Sequence, residues 1–510
     1  MRKDNHINRY FRMKGYITQE GLVANSKELC LRFGTKFNAF LKKLSYVYKP
    51  KVGPPKGIKL YKYIDNGGVK LIVLPRSLMK TLRCGILDIE VALPPKRAVK
   101  FPELDIDLYN NQKLIVDKLM TIFTPARIND GSATALLNLR AGFGKTFIAA
   151  AMIEKLSLRT LYVVPKRPLM VQAVKDLKLC LKNNYKHKVT IGGFMSTPLK
   201  RDQSTDHNNQ DVTVIVIDSA ILRDKAFFAG YSMVIFDEVH TYCSDTRKKI
   251  FKLCSTHVMF GMSATTNDRK DGFDVIAHKE LAYDGVINAE DIPGFQYEEV
   301  RFNCDVTIIK YNGPSEYTKS LRHESTGMQF TPYMNKQFLS DPYRNELVLK
   351  SLRELYDWRG PDGEVHCIYV FCEEVKPLQV LYMAFRESFG DDVAAPEITD
   401  VAQFVGGISN SQITSFKEDA RILLTTYGYG GTGVSIDKMT AIVFLTPRRA
   451  NMKQILARIL RGGGNRNITR RVIDVVDNKT SVKSQLADRM NGYNYYGMNV
   501  KIVKLDAPSL

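Results

Sequence analysis

Lys145 sits in the run Arg140-Ala141-Gly142-Phe143-Gly144-Lys145-Thr146, Asp237-Glu238-Val239-His240 comes later, and Gln454, Arg458 and Arg461 lie near the C-terminus. A lysine in a glycine-rich loop can pair with the β- and γ-phosphate oxygens of ATP, and the adjoining Thr146 hydroxyl can hold Mg²⁺. Asp237 can reach the same ion through its water shell. Glu238, one residue further on, can orient and deprotonate an attacking water. Arg458 and Arg461 stand three apart and share a face if helical, with Gln454 one turn before Arg458. Two guanidiniums on one face make a fork for a γ-phosphate, and such a finger is worth about 10³–10⁵ in rate. Each piece alone is weak, since a Gly-Lys-Thr or an Asp-Glu pair arises by chance in many proteins. Together they supply the parts that phosphoryl transfer needs, and their order assigns finger and cradle to different domains.

The elements that must position these residues are legible around them. Residues 136–139 form an apolar run and residues 147–156 an Ala-rich helix former, so the lysine loop has a strand before it and a helix after it. Glycines at 142 and 144 let backbone N–H groups turn inward, and the helix N-terminus adds positive potential for a phosphate. Leu139 stands where the first glycine of the usual Gly-x-x-x-x-Gly-Lys-Ser/Thr pattern would be. Residues 233–236 read as a strand ending at Asp237, the end at which open α/β sheets place ligand chemistry. His240 could relay nucleotide state or cap its loop. After another strand come Ser263, Ala264 and Thr265, whose hydroxyls suit a coupling element. The Gly-rich stretch 427–433 leads to Asp437, a further candidate at the nucleotide.

Short apolar runs alternate with helical patterns from about residue 106, the signature of a parallel α/β sheet. The strands expected are 136–139, 160–164, 212–217, 233–236 and 257–262, then 367–371, 422–425, 441–445 and 471–476. The expectation is an α/β chain of two tandem RecA-like parallel-sheet domains preceded by a small basic mixed α+β domain. Its boundaries are 1–105, 106–285 and 286–480, with a tail at 481–510. Hydrophobic content of 44% and charge of 25% are those of an ordinary soluble chain. No apolar run approaches the roughly 20 residues of a membrane span, and the polar start Met1-Arg2-Lys3-Asp4 lacks a signal peptide's apolar centre. Eight cysteines without a Cys-x-x-Cys pair suggest reduced thiols in a cytosol-like compartment rather than disulfides or zinc.

The net charge of +21 is concentrated: residues 1–100 hold 22 Lys/Arg against 6 Asp/Glu, and the remaining 410 hold 52 against 47. Such a block is the footprint of a polyanion partner. A solvated basic face that aids solubility is the alternative.

Residues 140–146, 237–240, 263–265 and 454–461 together resemble motifs I, II, III and VI of superfamily 2 helicases. Gly261-Met262-Ser263-Ala264-Thr265 through Gly272 resembles the branch containing XPB and phage UvrW. Residues 424–430, Thr446-Pro447-Arg448-Arg449 through Leu456, and the tail 484–496 are similar to the helicases of African swine fever virus and other large cytoplasmic DNA viruses, a group that includes the poxvirus transcript-release helicase. The resemblance implies an ATP- and Mg²⁺-dependent motor on DNA or RNA, acting as a monomer. Its setting would be viral transcription or DNA repair, in the host cytoplasm or the virion and away from membranes. It also implies that Gln112 reads adenine. Pro165, Lys166, Arg167, Gly192 and Gly193 would be first-domain contacts to a nucleic-acid backbone, with Gly406, Gly407 and Thr425 their second-domain counterparts. Ala457 replaces a usual glycine, and Asn111 stands where an aromatic often precedes the glutamine. A nucleic-acid clamp that uses ATP only to switch affinity is the competing reading.

Overall fold

The computed structural model describes residues 13–48, 54–83, 86–140, 142–184, 186–194, 210–264, 266, 271–297, 302–319, 331–388, 400–406, 408, 412, 415–416, 418–430, 436–448, 452–460, 465 and 467–507. The chain forms two compact units, Met1–Tyr297 and Glu298–Leu510.

The first unit begins with a mixed sheet of β1 (Met13–Thr18), β2 (Gly21–Asn25), β5 (Lys62–Asn66), β6 (Val69–Leu74) and β7 (Leu87–Val91), in the order β5-β6-β2-β1-β7. A separate ribbon pairs β3 (Ser45–Tyr48) with β4 (Lys56–Lys59). Ile17, Leu22 and Leu74 lie in one buried cluster with Leu136 and Phe236 of the sheet that follows and with Leu281 of the helix Val275–Leu281. The basic segment therefore shares a core with the α/β sheet. Arg76 locks the two together. It is fully buried, and it donates to the backbone oxygens of Gly131 (2.7 Å), His257 (3.1 Å) and Thr256 and to Ser255 Oγ (3.2 Å). Burial lowers its pKa to about 9. Four acceptors offset the cost of taking a guanidinium out of water.

The second sheet of this unit is all-parallel, formed among the described residues by β8 (Ala133–Asn138), β9 (Thr160–Val164), β10 (Ile191–Gly193), β11 (Val212–Val216), β12 (Met233–Asp237), β13 (Val258–Ser263) and β14 (Val286–Asn288). Its order is β10-β11-β9-β12-β13-β8-β14. β9 and β12 are buried along their whole length, which is why their sequences are nearly continuous apolar runs. The five expected strands appear within a few residues of their anticipated ends. β10 and β14 were not anticipated: each is three residues long, with glycines in one and no buried residue in the other.

The second unit repeats the design with β15 (Cys304–Asn312), β16 (Ile368–Cys372), β17 (Val401–Phe404), β18 (Ile422–Thr426), β19 (Ala441–Phe444), β20 (Arg470–Asp477) and β21 (Asn499–Asp506). The order β17-β18-β16-β19-β20-β15-β21 is the same permutation of first to last strand as in the first unit. This bears out the reading of the halves as two copies of one architecture. β15 and β21 escaped notice because they lie toward one edge and alternate or expose their residues, so neither shows a buried apolar run. Among the described residues, no helix is long and apolar enough to cross a membrane.

Candidate ATP site and nucleic-acid interface

β8 ends at Asn138, the chain passes through the glycine loop, and the helix Lys145–Leu156 begins at the lysine itself. Leu139 N–H donates to Ser263 O (2.9 Å), tying the loop's root to the end of the neighbouring strand β13. Gly142 and Gly144 have φ of 81° and 84°, a region that costs other residues strain. A Cβ at Gly144 would also come within 2.5 Å of the Gln112 amide and 2.9 Å of the Phe147 ring. The cradle thus needs glycine there for both conformation and space.

Lys145 Nζ donates to Glu238 Oε1 at 2.5 Å, with side-chain exposures of 9% and 23%. Asp237 ends β12 and is buried; burial pushes its carboxyl up to about 6, the adjacent Glu238 adds to this, and Lys145 opposes it. Tyr242 OH donates to the backbone oxygen of Asp237 (2.6 Å) and lies 3.0 Å from that of Val163, bracing the strand end. Glu238 has φ of 49°, an uncommon conformation for a residue with a side chain, and one found mainly where a site requires it. His240 Nδ1 lies 2.7 Å from Ser263 Oγ and 3.5 Å from Glu238 Oε2, so the loop after β12 touches the end of β13. Ala264 adjoins this contact, and Thr265 lies outside the described residues.

Gln112 is buried at the start of the helix Asn110–Ile122. Its Nε2 donates to Phe143 O (3.0 Å), and its Oε1 accepts from Tyr109 N–H (3.1 Å). It therefore stands against the glycine loop. Sequence reasoning missed what braces the other side. Tyr297 OH accepts from Arg140 N–H (3.2 Å), the Arg140 guanidinium lies 4.1 Å above the Tyr297 ring, and Phe143 packs against Phe295 and Tyr297. Asn111 exchanges two hydrogen bonds with the Gln296 backbone, at 2.5 and 3.2 Å. Aromatic residues flanking Gln296 in an otherwise polar passage were the available signal.

In the second unit, Gln454 lies on the helix Met452–Leu456, which is shorter than the pattern through 461 implied. Residues 457–459 continue as turns, with Arg458 N–H donating to Ile455 O (3.1 Å). Arg458 is buried, and Arg461 lies outside the described residues. Arg470 supports this stretch, donating to the backbone oxygens of Ile459 (2.6 Å), Asn465 (2.8 Å) and Ile468 (2.8 Å). Asp437 is exposed.

The backbone-contact candidates fall at strand ends. Pro165 follows β9, and Lys166 and Arg167 open the helix Arg167–Cys180. Gly192 and Gly193 form most of edge strand β10, where a Cβ on Gly192 would strike the Gln210 amide. Gly406 is exposed just past β17, and Gly407 lies outside the described residues. Thr425 is fully buried and fills the space where a Cβ on Gly430 would go, so it shapes the following loop from beneath.

Residues 105–268 match the family described as Type III restriction enzyme, res subunit. The chain is 29% identical over 497 residues to QP509L of African swine fever virus (isolate Tick/Malawi/Lil 20-1/1983), a protein named for ATP-dependent RNA helicase activity; the match covers 95% of this chain and 92% of that one. It is 22% identical to the helicase-named 161L of Invertebrate iridescent virus 6, over 88% of this chain and 96% of the relative. The solved structure of S. cerevisiae Dbp5 bound to RNA and ADP BeF3 superimposes with a TM-score of 0.50 at 14% identity, covering 78% of this chain and 89% of that one. That likeness concerns the fold, and it agrees with the paired sheets. With the phosphate loop on β8 and the carboxylates on β12, these findings support an ATP-dependent helicase of the superfamily 2 type, built on two tandem RecA-like domains.

Proposed function

We propose that the chain hydrolyses ATP at the β8–β12 strand ends and uses the cycle to move along a nucleic-acid strand. The observation that carries this reading is the Lys145–Glu238 contact beside buried Asp237. A γ-phosphate entering the glycine loop competes for Lys145 and releases Glu238 toward the attacking water. Gly142 and Gly144 supply inward backbone N–H groups, and Gln112 meets the adenine. Asp437 is a further candidate nucleotide contact.

Thr146 and Asp237 are the residues that would hold Mg²⁺. The donor set fits: both offer oxygen, and Mg²⁺ keeps most of its waters and takes only one or two protein ligands when phosphates share it. Bound there, the ion neutralises charge on the transferring phosphoryl group. Asp237 is buried at the end of β12 while Lys145 is held by Glu238, so a cation there would offset the burial of its charge. Arg458 and Arg461 serve as the fingers with Gln454 beside them, and His240, Ser263, Ala264 and Thr265 carry the nucleotide state to the strand-binding loops. Pro165, Lys166, Arg167, Gly192, Gly193, Gly406 and Gly407 line the strand's path, and Thr425 shapes the loop behind it.

The African swine fever virus and iridescent virus relatives support a viral setting; within our reading, the process is transcript release or DNA repair in the host cytoplasm or virion, and the working form is a monomer. Steady-state hydrolysis with no cofactor, single-stranded DNA, duplex DNA and single-stranded RNA, at one salt concentration, tests the reading. Stimulation by one of these names the track. Hydrolysis indifferent to all three nucleic acids contradicts a motor and favours a clamp that uses ATP only to switch affinity.

A further inference from the structure

The basic N-terminal segment contains two populations of cations, and the fold separates them. The first is engaged. Lys14 pairs with Glu90, Lys62 and Lys225 with Glu20, Lys80 with Asp284, and Arg83 with Asp130, while Arg76 is buried in the joint between the sheets. Several of these contacts fasten the segment to the α/β sheet.

The second population lies on the helices Ser26–Phe33 and Phe37–Lys42 and on the β3–β4 ribbon. Lys27, Arg32, Lys36, Lys42, Lys43, Lys56 and Lys59 are all exposed, and none forms an ion pair among the described residues. Glu28 is the single acid between residues 26 and 60. These elements pack as one body. Leu29 and Phe37 are buried, Phe33 stacks on Phe40 at 4.5 Å, Ser45 Oγ donates to Leu41 O (3.0 Å), and Leu60 N–H donates to Leu44 O (2.9 Å).

The ribbon has an open face. Val47 lies opposite Gly57, Ser45 lies opposite Lys59, and Val47 is 64% exposed. A Cβ on Gly57 would meet nothing within 4 Å. Four of the aromatic rings nearby are engaged with other rings: Phe33, Phe37 and Phe40 face one another, and Tyr48 meets Phe273 edge-on. Such a surface offers exposed positive charge more than open ring faces. It suits phosphates rather than bases.

We propose that the seven exposed cations of the two helices and the β3–β4 ribbon form an accessory nucleic-acid site that holds the sugar–phosphate backbone, independent of base sequence and outside the two helicase domains. The proposal rests on the helicase reading and specifies where a second grip on the track lies. Because each neutralised phosphate releases counterions, the logarithmic salt slope of binding should fall by about 0.9 per lost contact on duplex and about 0.7 on single strands.

The test uses the full chain and fluorescence anisotropy against a labelled duplex and a labelled single strand across a salt series. The variants are Lys42→Gln/Lys43→Gln, Lys56→Gln/Lys59→Gln and Gly57→Glu, the last adding an opposing charge into open space. Lys14→Gln, an engaged cation of the same segment, is the control. The expected result is a shallower slope and weaker binding for the first two variants, weaker binding for Gly57→Glu, and little change for the control. Melting temperature and ATP hydrolysis without nucleic acid should stay at wild-type values throughout. The duplex and single-strand arms show which form the site holds. Unchanged slopes in a chain that still binds and still shows stimulated hydrolysis overturn the accessory site and leave the motor standing. A chain whose hydrolysis ignores nucleic acid overturns the helicase reading itself.

Discussion

In the first unit, β8 runs out into the glycine loop and the helix that begins at Lys145; in the second, β15 holds the same place in the sheet and runs out into Asn312-Gly313-Pro314. That second loop is closed by its own neighbours. Asn478 Nδ2 donates to Asn312 Oδ1 (2.9 Å), Lys479 Nζ donates to Gly313 O (3.0 Å), and a Cβ at Gly313 would lie 2.9 Å from Asp341 Oδ2. A Cβ at Gly142 would meet nothing within 4 Å, whereas the second loop is filled. The charges differ in the same sense. Lys145 and Glu238 meet at a partly open strand end, whereas Arg344–Asp477 and Arg489–Asp474 are sealed inside the second unit. Identical sheet order therefore does not confer identical chemistry; the loops at the strand ends decide it.

Breaking this contrast starts with Glu238→Gln, which keeps the shape of the site and removes the base. Turnover should fall by about 10²–10⁴-fold while ATP binding survives. In the sealed unit the larger effect is on folding. Arg489→Met leaves buried Asp474 with only Tyr493 as a described hydrogen-bond partner, at 2.8 Å, and should cost about 3–5 kcal/mol in denaturant unfolding. Lys145→Met, by contrast, should cost about 1 kcal/mol or less of stability while abolishing hydrolysis. If Arg489→Met unfolds no more easily than Lys145→Met, the division between displayed and sealed charges is wrong.

Gly144→Ala sharpens the account of the cradle. The strained φ costs on the order of 1–3 kcal/mol, and the Gln112 amide must move, so the KM for ATP should rise more than the melting temperature falls. A further effect, confined to acid pH, is a pH dependence in the second unit. Burial, with Arg471, Arg470 and Arg421 nearby, lowers His366 from 6.5 to about 4. The unfolded chain then binds the proton more readily than the native one, so stability is full above pH 6.5 and declines as pH falls toward 4. His366→Gln should flatten that part of the profile in thermal melts.

Much of this was legible in the sequence because the central strands are buried on both faces and write continuous apolar runs. Asp237 and Glu238 could be read because they sit at the end of such a run, and Lys145 because its glycine loop follows one. Edge strands left no comparable trace: β10 is three residues with two glycines, and β21 exposes most of its side chains. Arg76 and Arg470 were illegible for a different reason. A buried arginine bonded to backbone oxygens looks like a surface charge until the carbonyls it collects, distant in sequence for Arg76, are brought around it. The Tyr297 brace likewise depends on a contact with a loop that lies far away in the chain.

The central claim is that the carboxylate beside Lys145 drives hydrolysis that nucleic acid accelerates. Its most direct test is single-turnover hydrolysis by wild type and Glu238→Gln, each saturated with Mg²⁺-ATP, with and without the nucleic acid that stimulates most. The account predicts fast, stimulated cleavage in the wild type and, in the variant, bound ATP that persists under both conditions. Equal cleavage rates in the two proteins would contradict it.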